Sequence, residues 1–261
     1  MKVKQYGKIF CNLLWRDLVV LKSSIVREMI NTAFWICLTI FVYAYLMPQL
    51  CAGGTFGMFV LVGSIPCIML FKAVNKAAEL VADLGGRQSF LYYFTTPLPY
   101  WLIFIRRAFS IALYTIPLSL LMFLIGGVLI WDQMDFSNAS ILKFIPIFLA
   151  SNFLVGFCSL WFASWIEKIG DIEAAWFRYV FPCWWLGGYL FSWETFNLNF
   201  PLIAKINLIN PILYTIEGIR ASIIGQEGQI NYWICLGMVC LFTIIIAIRA
   251  IVLFKRRLDC V

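Results

Sequence analysis

Histidine is absent from the 261 residues, and charge is scarce, with Asp, Glu, Lys and Arg together making up 13% of the chain. A soluble domain carries about 25% charged residues. With 63% apolar residues and a mean hydropathy of +0.90, this chain has too little polar surface to cover its apolar volume in water. A water-soluble fold is excluded, and one membrane domain is the natural count for the length. No C-x-x-C or C-x-x-H pair occurs among the nine cysteines. Most of them (Cys37, Cys67, Cys158, Cys183, Cys235 and Cys240) lie in apolar runs, where a thiol behaves as a small hydrophobe. Neither a disulfide framework nor a metal site is expected. The phosphate loop G-x-x-x-x-G-K-[ST] is also missing, so ATP is not expected to bind this chain in the usual way. Long stretches lack acids and lysines alike, which leaves a membrane enzyme without a nucleophile and base, paired carboxylates or a metal.

The charge-free stretches give the architecture. Between Glu28 and Lys72 lie 43 uncharged residues, enough for two helices across a core of roughly 30 Å, at about 20 residues each. Pro48 and the cluster Cys51, Ala52, Gly53, Gly54 mark the turn between them. Later stretches give four more, so that spans are expected at about 30–48, 56–78, 108–131, 144–166, 176–192 and 230–254. Arg178, near the start of the fifth, can snorkel to the headgroups. The fold class expected is an all-α integral membrane protein, a single domain over residues 1–261.

Six crossings put both chain ends on one side, and the basic residues tell which. Segments on the side of the termini hold 17 Lys and Arg, whereas the alternate segments hold only Lys143, Lys205 and Arg220. Both termini are therefore expected to face the cytoplasm. The net charge of +7 is explained by orientation and needs no nucleic-acid partner. Residues 1–28 carry too long a charged stretch for a cleavable signal. On a helical wheel Val3, Tyr6, Ile9, Phe10, Leu13, Leu14, Leu18, Leu21 and Ile25 share one half, opposite Lys4, Gln5, Lys8, Asn12, Arg16 and Lys22, with Asp17 the exception. Such a helix suits the interface, its lysines toward anionic lipid, or packing on other protein.

Two connections on the basic side stand out. In residues 81–107, Gly85-Gly86 ends the second span, and Thr96-Pro97-Leu98-Pro99 stops any helix ahead of the third. Between them Gln88, Ser89, Phe90, Leu91, Tyr92, Tyr93 and Phe94 form about two helical turns. An exposed aromatic cluster there is costly in water unless covered, either by the bilayer or by a partner protein. The short acidic connection 167–175 offers a second contact. On the opposite side, residues 192–229 are too apolar for a free loop, and Phe196, Leu198, Phe200, Leu202, Ile203 and Ile206 suggest segments dipping into the outer leaflet. Asn210 as cap and Pro211 at the first helical position start a helix that runs to about Ile224 and stops at Gly225. Glu217 and Arg220, three apart, share one face of it, either as a local ion pair or with a role in gating.

The run Asn210-Pro211-Ile-Leu-Tyr214-Thr-Ile-Glu217-Gly-Ile-Arg220 resembles the N-P-x-x-Y-x-x-E-x-x-R signature before the last span of type-2 ATP-binding-cassette (ABC) permeases. The Thr96-Pro97-Leu98-Pro99 stop, the six spans, the amphipathic first helix and the basic tail are similar to the same family. One departure is Asp83-Leu-Gly-Gly-Arg87, where many members carry an acidic-arginine pair followed by Gly-Thr. The resemblance implies one half of an export channel in the cytoplasmic membrane of a prokaryote, paired with a second permease chain. It implies a separate ABC ATPase subunit that docks on residues 88–94 and binds ATP and Mg, no cofactor being held by this chain. It further implies that half-helices around residues 201–225 gate the exit.

In the fifth span Phe177, Phe181, Trp185 and Tyr189 recur every four residues, with Trp184 beside them. Aromatic faces can slide along sugar rings, so this stripe is a candidate conduit lining for a glycan or amphiphile. Packing against a neighbouring helix or lipid is the plainer explanation. Trp176 and Trp193 read as interface anchors. An ion-coupled carrier or channel is the alternative function, though such proteins place ionisable residues or broken helices at depth.

Overall fold

The computed structural model describes residues 2–50, 56–86, 90–95 and 98–259, without the side chains of residues 2–5, 91, 258 and 259. It is all-helical, with no strand among the described residues. Helix α1 (Lys2–Ile40) passes without a break through a π-helical stretch (Phe41–Leu46) into a last turn, α2 (Met47–Leu50). The 45 residues of Tyr6–Leu50 make roughly 68 Å of helix at 1.5 Å per residue, more than twice a ~30 Å hydrocarbon core. No break in the backbone separates the expected interfacial helix over 1–28 from the expected first span. Residues 26–32 contain no glycine or proline to interrupt the hydrogen-bond ladder, so the two segments form one rod.

Helix α3 (Gly57–Gly85) returns through the centre of the molecule, enclosed along most of its length. A 3₁₀ turn (Leu91–Thr95) precedes α4 (Tyr100–Leu129), and α5 (Ile141–Trp165) packs beside it. The α4–α5 approach is close enough that a Cβ on Gly156 would collide with the Ala108 carbonyl, the small-residue packing that membrane helices favour. Thr115 on α4 donates to the Asn152 side-chain oxygen on α5 at 2.7 Å. Pro66, Pro117 and Pro146 lie inside these three helices, tolerated because neighbouring helices enclose the freed carbonyls.

The segment expected to be the fifth crossing departs most from expectation. Helix α6 (Asp171–Ala175), a π-helical stretch (Trp176–Val180) and α7 (Phe181–Trp185) run on end to end, three five-residue pieces that reach only about 22 Å. The helix stops at Trp185 and not at 192. Gly187 and Gly188 continue the chain as a buried non-helical segment, Gly188 in the left-handed region at φ +86°.

Two short helices follow, α8 (Trp193–Asn199) and α9 (Pro201–Asn207), then α10 (Pro211–Ile223) and the last long helix α11 (Tyr232–Asp259). Helices α9 and α10 meet at 96°. Five helices are long and apolar enough to cross a membrane, six if this bent pair counts as one.

Contacts fix which ends lie together. Gly57 abuts Ala44, Ile130 and Gln133, and Ser140 N–H donates to the Ser222 carbonyl at 2.8 Å; these define the far face. Arg257 near the end of α11 donates to the Ile166 carbonyl at 2.6 Å and to that of Ala163, capping α5 on the N-terminal face. Helix α10 ends at the far face, whereas its start at Pro211 shares a groove with Leu70 and Cys158, deep in α3 and α5. The α9–α10 pair is thus bent inside the molecule, and its second arm, α10, runs out to the far face.

Candidate functional site

Irregular backbone inside an apolar molecule must find hydrogen-bond partners within the protein. Residues 186–192 and the α9–α10 turn at 207–210 are such backbone, and the polar side chains of α10 supply the partners. Arg220 is fully buried. Its Nη1 donates to the carbonyls of Gly188 at 2.5 Å and Phe191 at 3.2 Å, its Nη2 to Tyr189 at 2.6 Å, and its Nε to Phe59 at 3.3 Å. The guanidinium carbon stands 3.5 Å from the Phe59 ring centroid, a cation–π contact in a desolvated place. Gly63 on α3 leaves the room required, since a Cβ there would clash with Nη2.

Glu217, equally buried, does not pair with Arg220. Its Oε1 accepts from Trp193 N–H at 2.9 Å and its Oε2 from Ile230 N–H at 3.0 Å. Trp193 N–H is a free donor at the start of α8, and helix starts always leave such donors. The local ion pair expected for Glu217 and Arg220 is therefore corrected: each residue binds the backbone of another segment. At three residues apart they diverge from the same face because the loops on either side offer nearer partners.

Asn210 accepts from Ile212 N–H at 3.1 Å, capping α10 with Pro211 at its first position. Its amide also donates to the Cys183 carbonyl at 2.8 Å, and the Asn207 amide donates to that of Leu186 at 2.5 Å. The first is a carbonyl of the last turn of α7 and the second that of the residue closing it, and no further helical turn satisfies them. Tyr214 donates to the Leu208 carbonyl at 2.9 Å. Asn210, Tyr214, Glu217 and Arg220 thus each bind backbone outside α10, whereas Thr215 donates to the Ile212 carbonyl within it.

On the N-terminal face a second cluster joins α1, α4 and the 3₁₀ turn. Arg106, fully buried, forms an ion pair with Asp17. Tyr93 donates to the other Asp17 oxygen at 2.8 Å, and its ring lies 3.9 Å from the Arg106 guanidinium carbon and 4.9 Å from that of Arg16. The Phe90 N–H donates to Asp83 at 2.7 Å. The Phe90 ring is buried against Phe104 and Phe254, at centroid distances of 6.1 and 5.7 Å. The expected exposed aromatic knob is corrected accordingly: Phe90 is core, Tyr93 and Phe94 are half-buried, and Tyr92 alone of the four rings is exposed. Gln88, Ser89, Thr96 and Pro97 lie outside the described residues, as does the side chain of Leu91.

The stripe of the fifth span is only partly kept. Phe177 and Phe181 stack at 5.4 Å, and Phe177 and Trp185 are exposed. Tyr189 has left the helix and is buried, its ring 5.6 Å from Trp184 and 6.3 Å from Tyr43. The π-helical stretch and the stop at Trp185 break the four-residue period. An aromatic wall replaces the stripe, in which Phe71 of α3 touches Trp35, Trp176 and Trp184 at 6.1, 5.4 and 5.2 Å.

Sequence reading did not single out Arg106, Gly63 or Asn207. Asp17 did leave a signal, as the one acid on the apolar half of the first helix. It is buried there because Arg106 and Tyr93 meet it. No protein-family model and no curated protein matches this chain.

Proposed function

We propose that this multi-pass membrane protein is the permease subunit of an ATP-driven ABC exporter, and that it moves an amphiphilic or glycan-type substrate outward. The observation that carries the reading is the bent α9–α10 pair, held by Asn210, Tyr214, Glu217 and Arg220. In the motif that resembles type-2 ABC permeases, Asn210, Glu217 and Arg220 tie the pair to the fifth crossing, to α3 or to the start of α11, and Tyr214 pins the turn at Leu208. A pair so linked follows any shift of those helices and opens or closes the far side. The clasp of Asp17, Arg106 and Tyr93 supports the other half of the reading. A separate ATPase, which binds ATP and Mg, docks on the exposed Tyr92 edge, and the clasp passes its motion to α1 and α4. A second permease chain completes the conduit, with Phe177, Phe181 and Trp185 facing the cargo. The excess of Lys and Arg on the N-terminal face supports a cytoplasmic location for both termini, in the cytoplasmic membrane of a prokaryote.

An ion-coupled carrier is the second reading, favoured by one observation: buried Glu217 and Arg220 lie beside broken helices, the arrangement carriers use for ion and substrate sites. Copurification separates the two. A tagged chain extracted in mild detergent from its own host brings down an ATPase subunit if the first reading holds, and reconstituted transport then requires ATP. Transport by the chain alone, driven by a proton or sodium gradient, makes it a carrier.

A further inference from the structure

A groove of about 410 Å³ opens on the side of the molecule between α5, the fifth crossing, the α9–α10 turn and α11. Its wall is apolar, with Phe162 from α5, Cys183 from α7, Pro211 from α10 and Phe242 and Ile245 from α11. Arg249 closes the lining at the end nearest the N-terminal face. The Arg249 side chain is exposed and has no hydrogen bond or ion pair with any described residue, whereas the nearby Arg257 is bound to carbonyls of the α5 end. Arg249 lies 17 residues into α11, or about 26 Å from its far-face end. A ~30 Å core thus sets its guanidinium at the headgroup level of the opposite leaflet.

We propose that this groove binds one anionic phospholipid from the leaflet on the N-terminal face, its phosphate on Arg249 and one acyl chain against Pro211 and Phe242. Charge complementarity selects the occupant. The free cation stands at the mouth and the apolar wall runs from it toward the middle of the molecule, the polarity of a lipid in that leaflet. A guanidinium takes a phosphate through two parallel N–H donors. The lipid tail would then lie against the hinge of the bent α9–α10 pair.

Native mass spectrometry of the detergent-purified chain tests this, with phosphatidylglycerol and phosphatidylcholine of identical chains added in turn. One phosphatidylglycerol per chain is expected to be retained, about fivefold above phosphatidylcholine, the contribution of one basic residue near an anionic surface. Arg249→Gln is expected to abolish that preference, and Cys183→Trp, which fills the groove, to abolish the adduct with either lipid. Arg256→Gln, an exposed arginine of the same helix outside the groove, is expected to change nothing. Equal retention of the two lipids, or equal loss in the Arg249 and Arg256 variants, overturns the proposal as surface charge alone. A phosphatidylglycerol carrying a photoreactive diazirine at the chain end places the tail. Labelling of the peptide around Pro211 or Phe242 supports the site, and labelling confined to the exposed face of α1 overturns it.

Discussion

Arg220 makes four hydrogen bonds from one side chain, three to main-chain carbonyls of the non-helical segment 188–191 and one to that of Phe59 in the first turn of α3. Lysine cannot reproduce them, because its ammonium is a single point whereas the guanidinium is a rigid fork. Arg220→Leu is expected to cost about 3–5 kcal/mol, the range for breaking a buried charged contact, and to lower Tm by roughly 10 °C for a chain of this size. Arg220→Lys should fall between that variant and wild type in a thermal unfolding series in detergent. Unchanged Tm in both variants would show that the carbonyls find other donors. For Glu217→Gln the expected loss is smaller, about 1–3 kcal/mol. The amide oxygen still accepts one N–H, but the amide NH₂ faces the second donor without being able to accept from it. Gly63→Ala is a test from the other side of the contact. It removes no hydrogen bond, yet its methyl group would displace the guanidinium, and strain of about 1–3 kcal/mol is the expected result.

Among the elements, the described segment 90–95 between α3 and α4 has two separable parts. One is core: Phe90 packs among Phe94, Phe104 and Phe254. The other is surface: Tyr92. Phe90→Ser is expected to lower stability by about 3–5 kcal/mol, as large aromatic truncations in cores do. Tyr92→Ser should leave Tm within about 1 °C, since surface substitutions change stability by no more than about 0.5 kcal/mol, while reducing the amount of ATPase that copurifies. Loss of stability in both variants, or of capture in neither, removes the turn as a docking edge. Tyr93 belongs to neither part, because it bridges to α1. A double-mutant cycle of Asp17→Asn with Tyr93→Phe should show coupling of about 0.5–3 kcal/mol, the span found for residues in one hydrogen-bonded network. Additive losses would mean that the clasp is only a coincidence of packing.

For the whole molecule, charge spacing made the long helices legible, because a core of fixed thickness converts uncharged length directly into crossings. Helices α3, α4, α5 and α11 lie where the uncharged runs put them. Asn210 and Pro211 marked the start of α10 for a local reason, the side-chain cap and the missing N–H. The fifth crossing was not legible past Trp185. Its uncharged run reads as a full helix, but the backbone breaks at Gly187-Gly188 because Arg220 and Asn207, distant in sequence, accept the cost of unwinding it. The continuity of α1 was missed for the opposite reason, since polar residues of its first half mark an interface in composition without marking any break in the backbone. Together these elements predict a topology that is independent of function. If the fifth crossing is completed by residues 186–192, the six passages leave Cys11 and the 167–170 turn on one face and the 136–139 loop on the other. Cys11 is native and exposed. In right-side-out vesicles a membrane-impermeant maleimide should therefore fail to label Cys11 or a Gly170→Cys variant until the membrane is opened, and should label Ser137→Cys at once. Immediate labelling of both Gly170→Cys and Ser137→Cys would mean that α5 does not cross. Protection of Gly170→Cys with immediate labelling of Cys11 would mean that α1, for all its length, does not place the N-terminal half on the face where Tyr93 and Arg106 meet it.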